Sequence, residues 1–156
     1  MNFGNASQSY SERQSIEFNF GEQFFENYCK LMGYKFNRIG FDEKKDYVDN
    51  YFNLNSLLRN LPDYVVSTNK NTYVVNVKGT ANIKKSEIDM IPLFLDWFSS
   101  KTSPLVYAFC FKTEKRPIMV YPETVIKLYS KSIDKQWHDG KIYRTLDFST
   151  NNKPLE

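Results

Sequence analysis

Cysteine and histidine are scarce in this chain. Two cysteines and one histidine stand among 156 residues. Cys29 and Cys110 are far apart in sequence and each sits among apolar neighbours, which excludes zinc-type spacing and argues for two reduced, buried thiols of an intracellular protein. His138, beside Trp137 in a polar stretch, is expected at the surface and not as a catalytic base. There is no Gly-rich phosphate loop and no Ser-His-Asp ordering. No apolar run approaches the length of a membrane span. The segment Met1-Asn2-Phe3-Gly4-Asn5-Ala6-Ser7 lacks the basic-then-apolar pattern of a secretory leader. The expectation is a cytoplasmic protein with no membrane partner.

Aromatics, by contrast, are plentiful: 13 Phe and 11 Tyr bring the aromatic share to 17%. Such a chain buries a real core, and its length suits one domain. The net charge is only +3 but unevenly spread. Residues 1–60 hold seven Lys/Arg against eight Asp/Glu, and residues 61–156 hold fourteen against ten. The positive excess of the second part favours a polyanionic partner. The Asn-, Lys- and Tyr-rich composition suggests a phage or low-GC bacterial source.

Apolar spacing at Phe20, Phe24, Tyr28 and Leu31 predicts a helix from about Ile16 to Met32, stopped by Gly33. An alternating strand follows over Tyr34–Ile39. Residues 41–53 are polar, with a short helical possibility over 55–59. Two β-branched and aromatic runs, Leu61–Val66 and Tyr73–Thr80, flank the polar cluster Ser67–Thr72 and predict a hairpin. The stretch Met90–Phe98 predicts a helix with Asp89 near its start and Pro92 in its first turn. Pro104–Phe111 reads as a central strand covered on both faces, and Pro117–Tyr121 as its partner across Lys112–Arg116. Pro122 opens a last helix, and Gly140–Phe148 adds a strand. The fold class is therefore α/β with a mixed sheet flanked by helices. The expected division is a polar tail over 1–15, a core domain over 16–130 and an extension over 131–156 packed on that core.

The hairpin carries groups that do not suit a simple core. Asp63 opens its first strand, and Asn76 and Lys78 alternate along the second. Strand residues two apart share a face, so Asn76 and Lys78 project together, towards Asp63. A carboxylate, an amide and an ammonium at one end of a sheet suit a phosphate- or metal-handling site. Pro62-Asp63 followed by Asn76-Val77-Lys78 resembles the PD-(D/E)XK nuclease superfamily, in which an acidic-x-Lys triplet follows a Pro-Asp strand. The preceding helix, with Glu22 near its start, its Gly33-Tyr34 stop and Arg38 beyond, is similar to the archaeal-type Holliday junction resolvases. The match runs over roughly residues 16 to 126 in element order, interrupted by an insertion-like polar stretch from Gly40 to Asn60.

The resemblance implies a restriction-endonuclease-like fold and divalent-metal-dependent cleavage of DNA. Asp63 would be the bridging ligand to Mg²⁺ or Mn²⁺, Glu22 the helix acid, and Lys78 the group that orients the attacking water and offsets developing charge. Asn76 stands where the family has an acid. Three explanations are open. The acid has moved to Glu87 or Asp89; the amide is an inactivating change; or the chain is a non-catalytic relative that binds nucleic acid or protein. Arg38, Lys35, Lys84 and Lys85 are the candidate phosphate contacts. Symmetric cleavage of a junction needs two related sites, which implies a homodimer.

Overall fold

The computed structural model describes residues 18–40, 61–98 and 103–149. The expected tail over 1–15, the polar stretch over 41–60 and the helical possibility within it lie outside those residues. In chain order the elements are a π-helical turn Phe18–Glu22 running into α1 (Gln23–Met32), then β1 (Lys35–Arg38), β2 (Tyr64–Ser67), β3 (Thr72–Lys78) and β4 (Asn82–Lys84). They continue with α2 (Lys85–Phe98), β5 (Leu105–Phe109), β6 (Ile118–Val120), α3 (Pro122–Ser130), β7 (Lys135–Gln136) and β8 (Ile142–Thr145).

Five strands form a mixed sheet in the order β1-β2-β3-β5-β6, and β4-β8-β7 form a second, three-stranded sheet. All pairings are antiparallel except β3 with β5. Parallel neighbours need a crossover, and α2 lies within it. Strand alternation sorts the core into two layers. Val75, Val106 and Ala108 face α1, where they pack with Tyr64, Val66, Phe25, Cys29 and Cys110. Val74, Leu105, Tyr107 and Phe109 face the other way, against Ile91 and Phe94 of α2 and Val125 and Leu128 of α3. Every residue of β5 is buried, as its unbroken apolar run predicts. The second sheet joins this lower layer through Ile83 and Leu146.

Three local expectations are corrected. First, α1 does not bury the stripe Phe20, Phe24, Tyr28 and Leu31. Its buried residues are Phe25 and Cys29, and Leu31 is 84% exposed. Packing decides the face, since Phe25 and Cys29 meet Tyr64, Val66 and Val75 of the sheet, with Phe24 half-buried at the margin. Gly33 does end the helix, in the left-handed region at φ 73°, a conformation glycine adopts at no steric cost.

Second, α2 starts at Lys85, not near Asp89, and Pro92 lies inside the helix instead of in its first turn. The early start has a local cause. Glu87, three residues into the helix, accepts the Lys84 backbone N–H at 3.3 Å, the reciprocal half of a capping box without its usual Ser or Thr. Third, the polar stretch after Thr80, for which the sequence predicts no element, holds the strand Asn82–Lys84, which pairs with β8. Elsewhere the hairpin closes as expected, with Thr68 Oγ1 accepting the backbone N–H groups of Lys70 and Asn71. Pro122 occupies the first turn of α3. Cys29 and Cys110 are free and buried, and burial pushes the Cys29 thiol up to about 12.

The helical entry is fitted closely to the sheet. A Cβ on Gly21 would stand 3.1 Å from both the Cα and the N of Gly79, just past the end of β3. Backbone cannot move aside as a flexible side chain can. Gly21→Ala therefore destabilises the fold by about 1–3 kcal/mol, read as a lower urea midpoint with an unchanged m-value; a stability equal to that of the wild type would contradict this packing.

Candidate active site

Asp63 immediately precedes β2, and β2 pairs antiparallel with β3 so that Tyr64 lies opposite Val75. One residue earlier, Asp63 falls beside Asn76 on the opposite face of the sheet from Tyr64. Asn76 and Lys78 share that face with Val74. In the parallel ladder Asn76 lies level with Tyr107 and Lys78 with Phe109. The hairpin thus brings Asp63, Asn76 and Lys78 to one face, at the end of the sheet where β3 and β5 both finish.

Glu87 enters the same place from the first turn of α2. Lys78 Nζ donates to Glu87 Oε2 at 2.9 Å and to Oε1 at 3.2 Å, with only 14% and 17% of the two side chains exposed. Burial alone would raise the Glu87 carboxyl. The Lys78 ammonium, with Lys84 and the hydrogen bonds from both lysines, outweighs it and holds the group below its ordinary value. Asp63 goes the other way. Burial pushes it up to about 6, against the Val77 N–H, Lys78 and Arg38, with Glu87 adding a further upward push. Two carboxylates and one ammonium therefore share a poorly solvated site, and the second carboxylate is under-compensated.

Glu22 lies on the other face, in a cluster under α1. The Tyr64 hydroxyl donates to Glu26 Oε2 at 2.6 Å and stands 3.3 Å from Glu22 Oε2. Arg38 Nε lies 3.6 Å from Glu22 Oε2 and also acts on the Asp63 carboxylate. Arg38 is thus the link between the Glu22 cluster and Asp63. The other expected residues are more scattered. Asp89 is exposed and paired with Lys85 at i,i+4, 3.1 Å. Lys84 Nζ stands 5.7 Å from the Trp137 ring. Lys35 pairs with Ser67 at the far end of β1 from Arg38. His138 is exposed.

Two participants escape the sequence reading. Tyr107 is 2% exposed and lies level with Asn76 in the β3–β5 ladder; burial first, and then the Glu87 charge, hold its hydroxyl above the ordinary tyrosine range. Only the register of β3 against β5 reveals this position, so no motif could have found it. Gly40 is the second: a Cβ there would meet the Pro62 carbonyl oxygen at 3.0 Å and Asp63 Oδ1 at 3.4 Å. The glycine lets the backbone pass close against Asp63, whose Oδ2 accepts the Val77 N–H at 2.7 Å.

Among the described residues no group of three His, Cys, Asp or Glu side chains is placed to hold a metal. The donor set does fit a hydrated ion of the Mg²⁺ type, which is bound through one or two carboxylates and keeps several waters. Asp63 and Glu87 are the two carboxylates of the site that could hold one. A scan against protein-family models finds no match, and no curated protein matches the sequence significantly.

The raised Asp63 carboxyl has a measurable consequence. In the folded state the protonated form is favoured, so this stabilisation is complete below the ordinary aspartate pKa near 4 and is lost as pH rises through about 6. Asp63→Asn removes the titration and keeps an acceptor for the Val77 N–H. Its stability relative to the wild type rises between pH 4 and pH 7 by on the order of 2 kcal/mol, measured by urea denaturation across that range. A pH-independent difference would contradict the burial of this charge.

Proposed function

We propose that the chain is a divalent-metal-dependent DNA endonuclease of the PD-(D/E)XK type, with a restriction-endonuclease-like core, whose second acid is Glu87. The observation that carries the reading is the meeting of Asp63, Lys78 and Glu87 on one face at the end of the sheet. Asp63 and Glu87 would hold Mg²⁺ or Mn²⁺, which when bound polarises the phosphate and lowers the pKa of a coordinated water. Lys78, now paired with Glu87, is placed to orient the attacking water and to stand opposite the charge that develops on the phosphate oxygens. The poorly solvated surroundings strengthen each of these interactions. Asn76 fits this reading as a neutral residue. A third carboxylate there would crowd two acids of which one is already hard to ionise.

Glu22 is proposed to act through Arg38, holding the guanidinium near Asp63, instead of as a metal ligand. A structure-selective or resolvase-like preference, and a homodimer that sets two such sites against a branched substrate, follow from the same resemblance.

A second reading is a nuclease fold that binds without cutting. It draws on one observation: both carboxylate oxygens of Glu87 are engaged by the Lys78 ammonium. Cleavage of branched, linear and single-stranded DNA in Mg²⁺ and Mn²⁺ separates the two. On the nuclease reading the chain cuts as it stands, and Lys78→Met lowers the rate by about 10²-fold or more. Asp63→Ala and Glu87→Ala abolish cutting, Asp89→Ala leaves it intact, and Asn76→Glu brings no gain. No cleavage by the wild type, with activity appearing only in Asn76→Glu, would show that the acid has not moved to Glu87.

A further inference from the structure

Two of the lysines that the sequence singles out are placed poorly for an extended anion: Lys85 is held by Asp89 and Lys35 is at the wrong end of its strand, while Lys84 lies towards Trp137 and acts on Glu87. A different set of cations stands at the right end. Because β3 and β5 are parallel, the chain leaving β5 emerges beside Lys78, and the Cys110 N–H donates to the Lys78 carbonyl at 2.8 Å. The connection to β6 then makes a tight turn, closed by the Glu114 N–H on the Phe111 carbonyl at 3.1 Å. Residues 112–116 read Lys-Thr-Glu-Lys-Arg and are all exposed. Three cations against one carboxylate in five consecutive residues make this a locally basic projection.

The turn is anchored on the element that carries Glu22. Lys112 Nζ stands 5.5 Å from the Phe20 ring in the π-helical turn, and that turn is pressed on Gly79 through Gly21. The basic turn therefore rises from the site's own end of the sheet, between the start of the helical segment and the end of β5. A polymer with a phosphate presented to Asp63 and Lys78 has further phosphates on either side, and those need cations a few ångströms beyond the reacting one. Among the described residues the turn offers three exposed cations at that end of the sheet.

We propose that the turn between β5 and β6, through Lys112, Lys115 and Arg116, binds the sugar-phosphate backbone of nucleic acid flanking the phosphodiester held at Asp63 and Lys78. The proposal rests on the nuclease reading and names the surface on which the substrate lies. Contacts of this kind position a strand without reading its sequence. They weaken with salt according to the number of counterions they release.

The test is the salt dependence of binding to a short fluorescent DNA duplex in EDTA, where no cutting occurs. Lys115→Glu with Arg116→Glu changes two exposed residues, and an unchanged melting temperature verifies the fold. This double variant is expected to bind roughly tenfold more weakly or worse at moderate salt, and to reduce the slope of log K against log salt by about two. Lys35→Glu with Lys70→Glu makes the same change of charge at the far end of the sheet and is expected to leave the slope as in the wild type. An unchanged slope in the first variant, or an equal loss in the second, overturns the assignment of the turn while leaving the nuclease reading standing. Failure of the wild type to bind DNA at all overturns both. Binding to anionic phospholipid vesicles in place of DNA, lost on the same two substitutions, would assign the turn to a membrane surface instead.

Discussion

The parallel pairing of β3 with β5 is the constraint on which the rest of the structure depends. It forces the chain through a crossover, and α2 within that crossover delivers Glu87 to Lys78. It sets Tyr107 beside Asn76, and it brings the exit of β5 to the same end as Lys78. The antiparallel pairing of β2 adds Asp63 on the same face. One register thus decides which charged groups meet. A slip of one residue would turn Asn76 and Lys78 towards α1 and the apolar layer beneath it.

The site is also where the molecule is least at ease. Elsewhere the aromatic content does ordinary packing: Phe25 lies 5.3 Å from Tyr64, and Phe109 lies 4.8 Å from Phe148, ring centre to ring centre. Around Asp63 the fold instead accepts a carboxyl pushed up to about 6 beside a half-buried Lys-Glu pair. Breaking such a pair leaves a charge uncompensated and is expensive, whereas an apolar replacement of both partners often is not. Stability alone therefore gives little reason for this arrangement. A cation shared by the two carboxylates, as proposed above, would relieve it.

Much of the fold was legible because local signals agreed with tertiary demands. The unbroken apolar run Leu105–Phe109 is the fully buried strand, the Thr68–Asn71 turn is closed by its own side chains, and Pro122 opens α3. The misreadings share a cause, which is that non-local packing or atypical capping decided them. Packing against Tyr64, Val66 and Val75 buried Phe25 and Cys29 of α1. Glu87 capped α2 from a position with no Ser or Thr to announce it, so the helix starts before Asp89 and swallows Pro92. The shared face of Asp63, Asn76 and Lys78 was readable from period-two alternation. The position of Tyr107 level with Asn76 was not, because it depends on pairing between segments distant in sequence, and the Lys78–Glu87 pair was not, because it depends on α2 starting at Lys85. For the same reason the local motif could name Lys84 and Lys85 but not the turn at Lys112–Arg116.

The central claim is that Asp63 and Glu87 together form the metal site. Its most direct test is crystallographic: soak crystals of the wild-type protein in Mn²⁺ and collect anomalous diffraction data. The account predicts an anomalous peak in contact with the Asp63 carboxylate, with Glu87 turned from Lys78 to share the ion or one of its waters. A peak beside Asp89, or none at Asp63 at a saturating Mn²⁺ concentration, would contradict it.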